Sequence, residues 1–332
     1  MSKKTKKQQK KLAKALKSQH KLLNKVVKQN KKLHRQLRVV HQQLDALPLA
    51  AQAPHTANDA QPTRSQPHRA PVVSTKDRPG APAPLRSGKY PSPYLRYKVA
   101  SALRITPTMM SIRCIPAGGA RVESQHLVGE YMRVLVSRDG SALAEPEFKG
   151  SKPVWGKPSP TSRKYTIRKF WPESGAIELG VVIHAKGPGT QWAQQVQPGD
   201  PVHLLGPRSG YDISDNYDFY LLAGDETGLP GMARWIESMP ATARGAAYIE
   251  IPSAESEQEI LAPDNFEVHW VIHETENSLY QAVSCAERPQ GQVFMWLAGE
   301  SRSIQPLRQW MRTELNLGKD HAHAKGYWKD KD

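Results

Sequence analysis

Apolar positions fall into three regimes along the 332-residue chain, and each predicts a different kind of structure. Leu16, Leu23, Val26, Asn30, Leu33, Leu37, Val40, Leu44 and Leu47 recur mostly at alternating spacings of three and four. That is the a/d stripe of a helix, with Asn30 at an a position, and Pro48 stops it. From 48 to about 93 the chain holds ten prolines among Ala, Ser and Gln, with few large apolar side chains. This is the composition of an extended linker. Beyond it, up to about Asn216, short strand-like runs alternate with Gly/Pro turns, which predicts an antiparallel β-barrel. Phe219–Gly224, Ala246–Ile251, Phe266–Ile272 and Val293–Leu297 are then short apolar runs separated by helical stretches, the first from about Leu229 to Met239. Such runs predict a buried parallel sheet covered by helices. The expected organisation is a Lys-rich amphipathic helix (1–47), a Pro/Ala-rich linker (48–94), a barrel (95–216) and an α/β unit (217–332).

Charge sharpens this division. The net charge is +16, but residues 1–95 carry 21 Lys and Arg against 3 acidic residues, so the remainder is within two charges of neutrality. The basic excess therefore belongs to the extension. Three readings of that extension stay open: a parallel homodimer through residues 12–47, a basic amphipathic helix folding on an anionic surface (membrane or nucleic acid), and a disordered basic tail. The two cysteines, Cys114 and Cys285, have no metal-ligand spacing and fit a reducing compartment. The N-terminus lacks an apolar signal-peptide core, and no run approaches the length of a membrane span, so the expected location is cytoplasmic.

Candidate chemistry begins at Arg163-Lys164-Tyr165-Thr166-Ile167-Arg168. Strand alternation puts Arg163, Tyr165 and Ile167 on one face, and Lys164, Thr166 and Arg168 on the other. An aromatic ring, cations and a small hydroxyl are what a flavin needs against its ring, its phosphates and its N5 edge. After the apolar run Ile177–Ile183 comes His184-Ala185-Lys186-Gly187-Pro188-Gly189-Thr190-Gln191-Trp192-Ala193. This Gly/Pro turn leads into a helix start with free N–H groups suited to a pyrophosphate, and Thr190 is the expected N-cap. Phe219–Ala223 then breaks at Gly224-Asp225-Glu226-Thr227, the strand-end turn of a nucleotide-binding unit, although no Gly-x-Gly-x-x-Gly is present. Ala298-Gly299-Glu300 is a second such turn facing the same crevice.

Taken in order, these segments resemble the siderophore-interacting proteins, which are FAD-dependent ferric-siderophore reductases of the ferredoxin-reductase-like superfamily. The resemblance spans roughly Leu95 to Trp328 and includes Pro198-Gly199-Asp200, Leu205-Gly206-Pro207 and the terminal Gly326-Tyr327-Trp328. It implies an FAD-binding barrel followed by an NAD(P)-binding α/β domain, with electrons passing from NADPH or NADH through FAD to the iron of a ferric siderophore. It also implies cofactor roles for Arg163, Tyr165, Thr166, Ile167, Arg168, His184, Gly189, Thr190, Trp192 and Ala193. Gly224, Asp225, Glu226, Thr227, Gly299, Glu300 and Trp328 complete that set, with Tyr165 and Thr166 at the reacting centre. The substrate should meet a basic surface, for which Lys325, Lys329 and Arg133 are the candidates. The chain departs from the family at Gly189-Thr190, at its Lys-Asp-Lys-Asp terminus and in its long N-terminal extension.

Other features read more plainly. His321 and His323 share a strand face but lack a third ligand nearby, so no metal site is assigned. Met109-Met110 reads as core. The second strand of the α/β unit ends in acidic residues with Ser253 among them, which favours NADH locally, while Arg234 and Arg244 are the cations within reach of a 2′-phosphate. The competing functional reading is a scaffold docked by its basic arm, and a third is a reductase of another acceptor.

Overall fold

The structure is a computed structural model that describes residues 81–139, 143–150, 152–184, 186–275 and 277–329. The Lys-rich helix and the greater part of the linker lie outside the described residues. Within the described part, two layers of architecture follow the two strand patterns of the sequence.

Six strands close into an antiparallel barrel in the order β2 (Tyr94–Thr106), β3 (Met109–Pro116), β8 (Ala176–Val182), β7 (Thr161–Trp171), β4 (Tyr131–Val136) and β9 (Pro201–Leu205). Alternation fills its interior. Leu95, Tyr97 and Val99 of β2 are at most 2% exposed, whereas Arg96 and Lys98 between them point to solvent. Ile112, Met132, Val134, Ile167, Leu179 and Leu204 join the same core. Helix α1 (Pro188–Gln195) completes it by contributing Trp192 and Ala193. Met109 and Met110 are buried, as expected of core residues. A short hairpin, β5 (Glu147–Lys149) with β6 (Lys152–Val154), connects β4 to β7.

The second layer is a five-stranded sheet ordered β13 (Asn265–Ile272), β12 (Arg244–Ile251), β11 (Phe219–Asp225), β14 (Val293–Glu300) and β15 (Ala322–Trp328). All its pairings are parallel, so every strand carries its carboxyl end to the same edge. Helix α2 (Leu229–Ser238) covers one face through Met232, Trp235 and Ile236. Helices α3 (Ser278–Ser284) and α4 (Gln305–Thr313) cover the other through Leu279, Val283, Leu307 and Trp310. Every residue of β14 is buried, as a strand sandwiched on both faces requires.

One strand falls inside the stretch expected to be linker. β1 (Arg86–Lys89) pairs antiparallel with β10 (Ser209–Asp212), and the Leu85 amide donates to the Asp320 carbonyl at 2.8 Å. Its sequence, Arg-Ser-Gly-Lys, has no apolar period, so only the partner strand reveals it.

A candidate active-site cleft between barrel and sheet

A cleft of about 520 Å3 runs along the seam of the two layers. Such a volume suits a ligand of cofactor size. Its barrel wall is Ser162 to Thr166 of β7 with Tyr131 of β4, beside which lie Ser209 and Tyr211 of β10 from the small β1–β10 sheet. One end is closed by His184 and by Lys186, Gly187, Gly189 and Thr190 at the start of α1. The sheet wall is Thr227 after β11, Trp296 of β14, and His323 and Lys325 to Trp328 of β15.

The β7 alternation is realised as expected. Ile167 points into the barrel at 0% exposure, and Tyr165 on the same face lies against that core. Tyr165 stacks on Trp192 with ring centroids 6.2 Å apart and 25° between planes. Burial pushes its phenol up to about 12, so it stays protonated. A Cβ built on Gly189 would overlap the Tyr165 phenol oxygen and stand 3.0 Å from Cγ of Arg163. Only glycine therefore lets the α1 turn approach the strand this closely. On the opposite face Thr166 is buried against the sheet layer, where it hydrogen-bonds the Tyr327 phenol; burial nevertheless pushes that phenol up.

Helix α1 begins one turn earlier than expected. Gly187 is the N-cap and Pro188 the first helical residue, which leaves Thr190 inside the first turn. The Thr190 hydroxyl instead accepts from the His184 amide at 3.2 Å and so ties the end of β8 to the helix. Gly187 offers no capping side chain, so first-turn N–H groups remain available to an anion in the cleft.

The strand-end turns are held by Asp225. Its Oδ1 accepts from the Thr227 amide at 2.8 Å and the Thr227 hydroxyl at 2.5 Å. Its Oδ2 accepts from the Glu300 amide at 2.7 Å and the Trp328 indole N–H at 2.9 Å. Trp328 also lies 5.2 Å from the His184 ring, so it spans the cleft from sheet to barrel.

Several candidates sit elsewhere. Arg168 forms a bidentate pair with Glu237 of α2 at 2.6 and 2.7 Å and does not reach the cleft. Ile167 and Ala193 are core, and Trp192 lies behind Tyr165. The Glu226 carboxylate accepts from Thr108 at 2.5 Å across the seam. Burial raises its pKa. Glu300 accepts from the amides of Arg302 and Ser303 in its own turn. Gly224 and Gly299 provide close backbone spacing, against Ala298 and Asp225 respectively. Arg133 stands opposite Lys164 across the β4–β7 pair, outside the cleft wall, and Lys329 is exposed beyond it. Neither arginine proposed for a 2′-phosphate is placed to bind one. Arg234 is paired with Glu130 at 3.0 Å, and Arg244 lies at the amino end of β12, away from the crevice. At the carboxyl end of β12, Glu250 pairs with His273 at 3.2 Å and Ser253 hydrogen-bonds Glu255.

At the far end of the cleft, sequence reasoning named Lys325 but missed the residues around it. There the Tyr131 ring has Lys164 Nζ at 5.8 Å and Lys325 Nζ at 5.7 Å. Burial raises the Tyr131 phenol, but hydrogen bonds with Arg208 and Ser209 and both lysine charges outweigh it, so its pKa is lowered. His323 lies between Tyr211 and Trp296, with centroids at 4.1 and 4.2 Å. These residues come from five separate strands, and no local spacing joins them.

The donor set fits FAD: a protonated tyrosine, a strand hydroxyl, cations and an uncapped helix turn line one cleft. A closed six-stranded barrel followed by a five-stranded parallel sheet is the arrangement of an FAD-binding barrel joined to a nucleotide-binding unit. Comparison with known proteins narrows the class. Residues 98–211 match the siderophore-interacting FAD-binding domain and residues 217–331 match the siderophore-interacting protein model; the chain belongs to the siderophore-interacting protein family. The ferric vibriobactin reductase ViuB of Vibrio cholerae is 27% identical over 241 residues, 70% of this chain and 86% of that protein. The NADPH-dependent ferric-chelate reductase of Escherichia coli is 23% identical over 241 residues, 70% of this chain and 93% of that protein. The crystal structure of a siderophore utilization protein from T. fusca superimposes with a TM-score of 0.66 at 28% identity, covering 74% of this chain and 96% of that one.

Proposed function

We propose that this protein is an FAD-dependent reductase that draws electrons from NADPH or NADH and delivers them to a ferric siderophore, releasing Fe(II). The observation that carries this reading is the shared cleft, in which the Tyr165 strand and the α1 turn of the barrel face Thr227 and the β15 terminus of the sheet. Bound FAD supplies the exchange between two-electron and one-electron transfer. Arg163, Lys186 and the first-turn amides of α1 hold its phosphates, Tyr165 supports its ring, and Thr166 offers a hydroxyl at the seam. Thr227, fixed by Asp225, places the nicotinamide donor at the carboxyl end of β11. Lys164 and Lys325 around Tyr131 attract an anionic ferric chelate. Hard oxygen ligands favour Fe(III) over Fe(II), so reduction weakens the chelate and lets the iron leave.

The donor's 2′-phosphate meets little positive charge here, because residues 245–287 contain no Lys or Arg. NADH should therefore serve alongside NADPH. Residues 95–216 act as the flavin unit and 217–332 as the nucleotide unit. The two free cysteines favour a reducing compartment such as the cytoplasm. For the basic arm, the heptad supports a homodimer through residues 12–47, and the lysines support docking on an anionic membrane or nucleic acid. Sedimentation and vesicle or RNA binding, each with and without residues 1–47, separate these roles.

The deciding experiment is the visible spectrum of the purified protein during anaerobic addition of each nucleotide, followed by a ferric siderophore. Bleaching of a flavin spectrum and its recovery with the ferric complex is the expected result. A protein that cannot bind FAD overturns the reading.

A further inference from the structure

Helix α2 lies lengthwise on strand β7, the strand that carries Tyr165 and Thr166, and meets it at three successive points. Gly231 packs on the Thr166 methyl. One turn on, the Arg234 guanidinium donates to the Ile167 carbonyl at 3.3 Å, to Ser124 Oγ at 3.1 Å and to Glu130 Oε2 at 3.0 Å. At the next turn Glu237 accepts both N–H groups of Arg168, at 2.6 and 2.7 Å. The Ile167 peptide is thus held at both ends, because its N–H donates to the Glu130 carbonyl at 2.9 Å. Glu130 is itself fixed, at 0% exposure, by Tyr90, Ser124 and the amides of Gln125 and Leu127.

Ion pairs this enclosed add little net stability, since desolvation offsets most of their attraction. What they add is geometry. A bidentate fork and a guanidinium shared by three acceptors each accept one register of helix on strand. The start of α2 follows directly from the Asp225–Thr227 turn, so this register also sets how the nicotinamide half of the site faces the flavin strand. We propose that Arg234 and the Arg168–Glu237 pair are positioning residues, which hold the donor-binding turn against the Tyr165–Thr166 strand at the separation that hydride transfer requires. The inference rests on the reductase reading above. It assigns to Arg168 and Arg234 a structural link in place of the phosphate contacts that their sequence position suggested.

Transfer between bound groups is steeply sensitive to placement; a displacement of roughly 1 Å costs on the order of 100-fold. In Glu237→Gln and in Arg234→Met, FAD and nicotinamide dissociation constants should stay within about threefold of the parent. The hydride-transfer rate constant, measured anaerobically by stopped flow, should fall about 10- to 100-fold. The exchanged pair Arg168→Glu/Glu237→Arg should recover most of what each single reversal loses. An unchanged transfer rate in either variant that retains flavin overturns the proposal. So does a loss confined to flavin affinity, which would make the pairs merely structural. Arg234→Met leaves the buried Glu130 carboxylate without its cation, so if it fails to fold, the more accessible Arg168–Glu237 exchange carries the test.

Hydrogen exchange on the flavin-free protein tests the link without the reaction. Arg234→Met or Glu237→Gln should speed exchange across β7 and the start of α2 together, while β3 stays unchanged. Separate behaviour of the two elements overturns the coupling. If the parent protein neither binds flavin nor reacts with a nicotinamide, the reductase reading fails, and the exchange result still decides whether helix and strand move as one.

Discussion

Gly189 lies so close to Tyr165 that a Cβ at that position would overlap the phenol oxygen, while Trp192, three residues on, stacks beneath the same ring. The helix turn and the aromatic platform are therefore one unit. Gly189→Val should displace Tyr165 and weaken FAD binding by about tenfold or more, since the ring and the turn must be placed together. Flavin fluorescence titration measures the change. Thermal stability should fall only modestly, because Tyr165 lies at the rim of the barrel core. Unaltered affinity would mean that the turn and the ring act separately.

Lys325 and Lys164 flank Tyr131 at the far end of the cleft, with Nζ 5.7 and 5.8 Å from its ring. Lys325→Glu should raise KM for an anionic ferric siderophore by about tenfold at low salt, with the difference shrinking as salt screens it. Reduction of the flavin by the nicotinamide should be unaffected. A KM that responds neither to Lys325→Glu nor to Lys164→Glu places the substrate elsewhere.

Burial, with the charges of Lys325 and Arg308, holds the His323 imidazole down to about 4 from its ordinary 6.5. The unfolded chain therefore binds a proton at this residue that the folded chain rejects. Stability should fall as pH drops from 6.5 towards 4, by up to about 3 kcal/mol. His323→Phe keeps a ring between Tyr211 and Trp296 and removes the titration. Urea melts across this range should be flatter for the variant; equal slopes would show that His323 is not the group responsible.

Asp225 accepts four hydrogen bonds from three residues of the strand-end turns and β15. Asp225→Ala leaves the Thr227 and Glu300 amides without that acceptor, at a cost of about 1–3 kcal/mol for each group that stays buried. Calorimetry should show a lower Tm. Nicotinamide affinity should fall with it, because Thr227 loses its support, while FAD affinity is retained.

Local pattern was enough to read much of this protein. The two-face alternation at Arg163–Arg168, the apolar runs of β11, β12 and β14, the helix from Leu229 and the cleft positions of Tyr165, Thr166, Gly189 and Trp328 follow from periodicity, from turn chemistry and from the family resemblance. These depend on neighbours within a few residues, and the chain writes such neighbours next to each other. Tertiary structure alone decided the partners. A strand face says that Arg168 points away from the barrel core, but only the packed α2 supplies Glu237. Arg234 sits on a helix whose register, not its sequence, brings it to Glu130. β1 has no apolar period and exists because β10 passes beside it. Tyr131, Tyr211, Trp296 and His323 meet at one end of the cleft because strands from separate parts of the sequence close on each other. Periodicity determines which way a side chain faces; what it meets there depends on contacts that the folded chain makes across long separations.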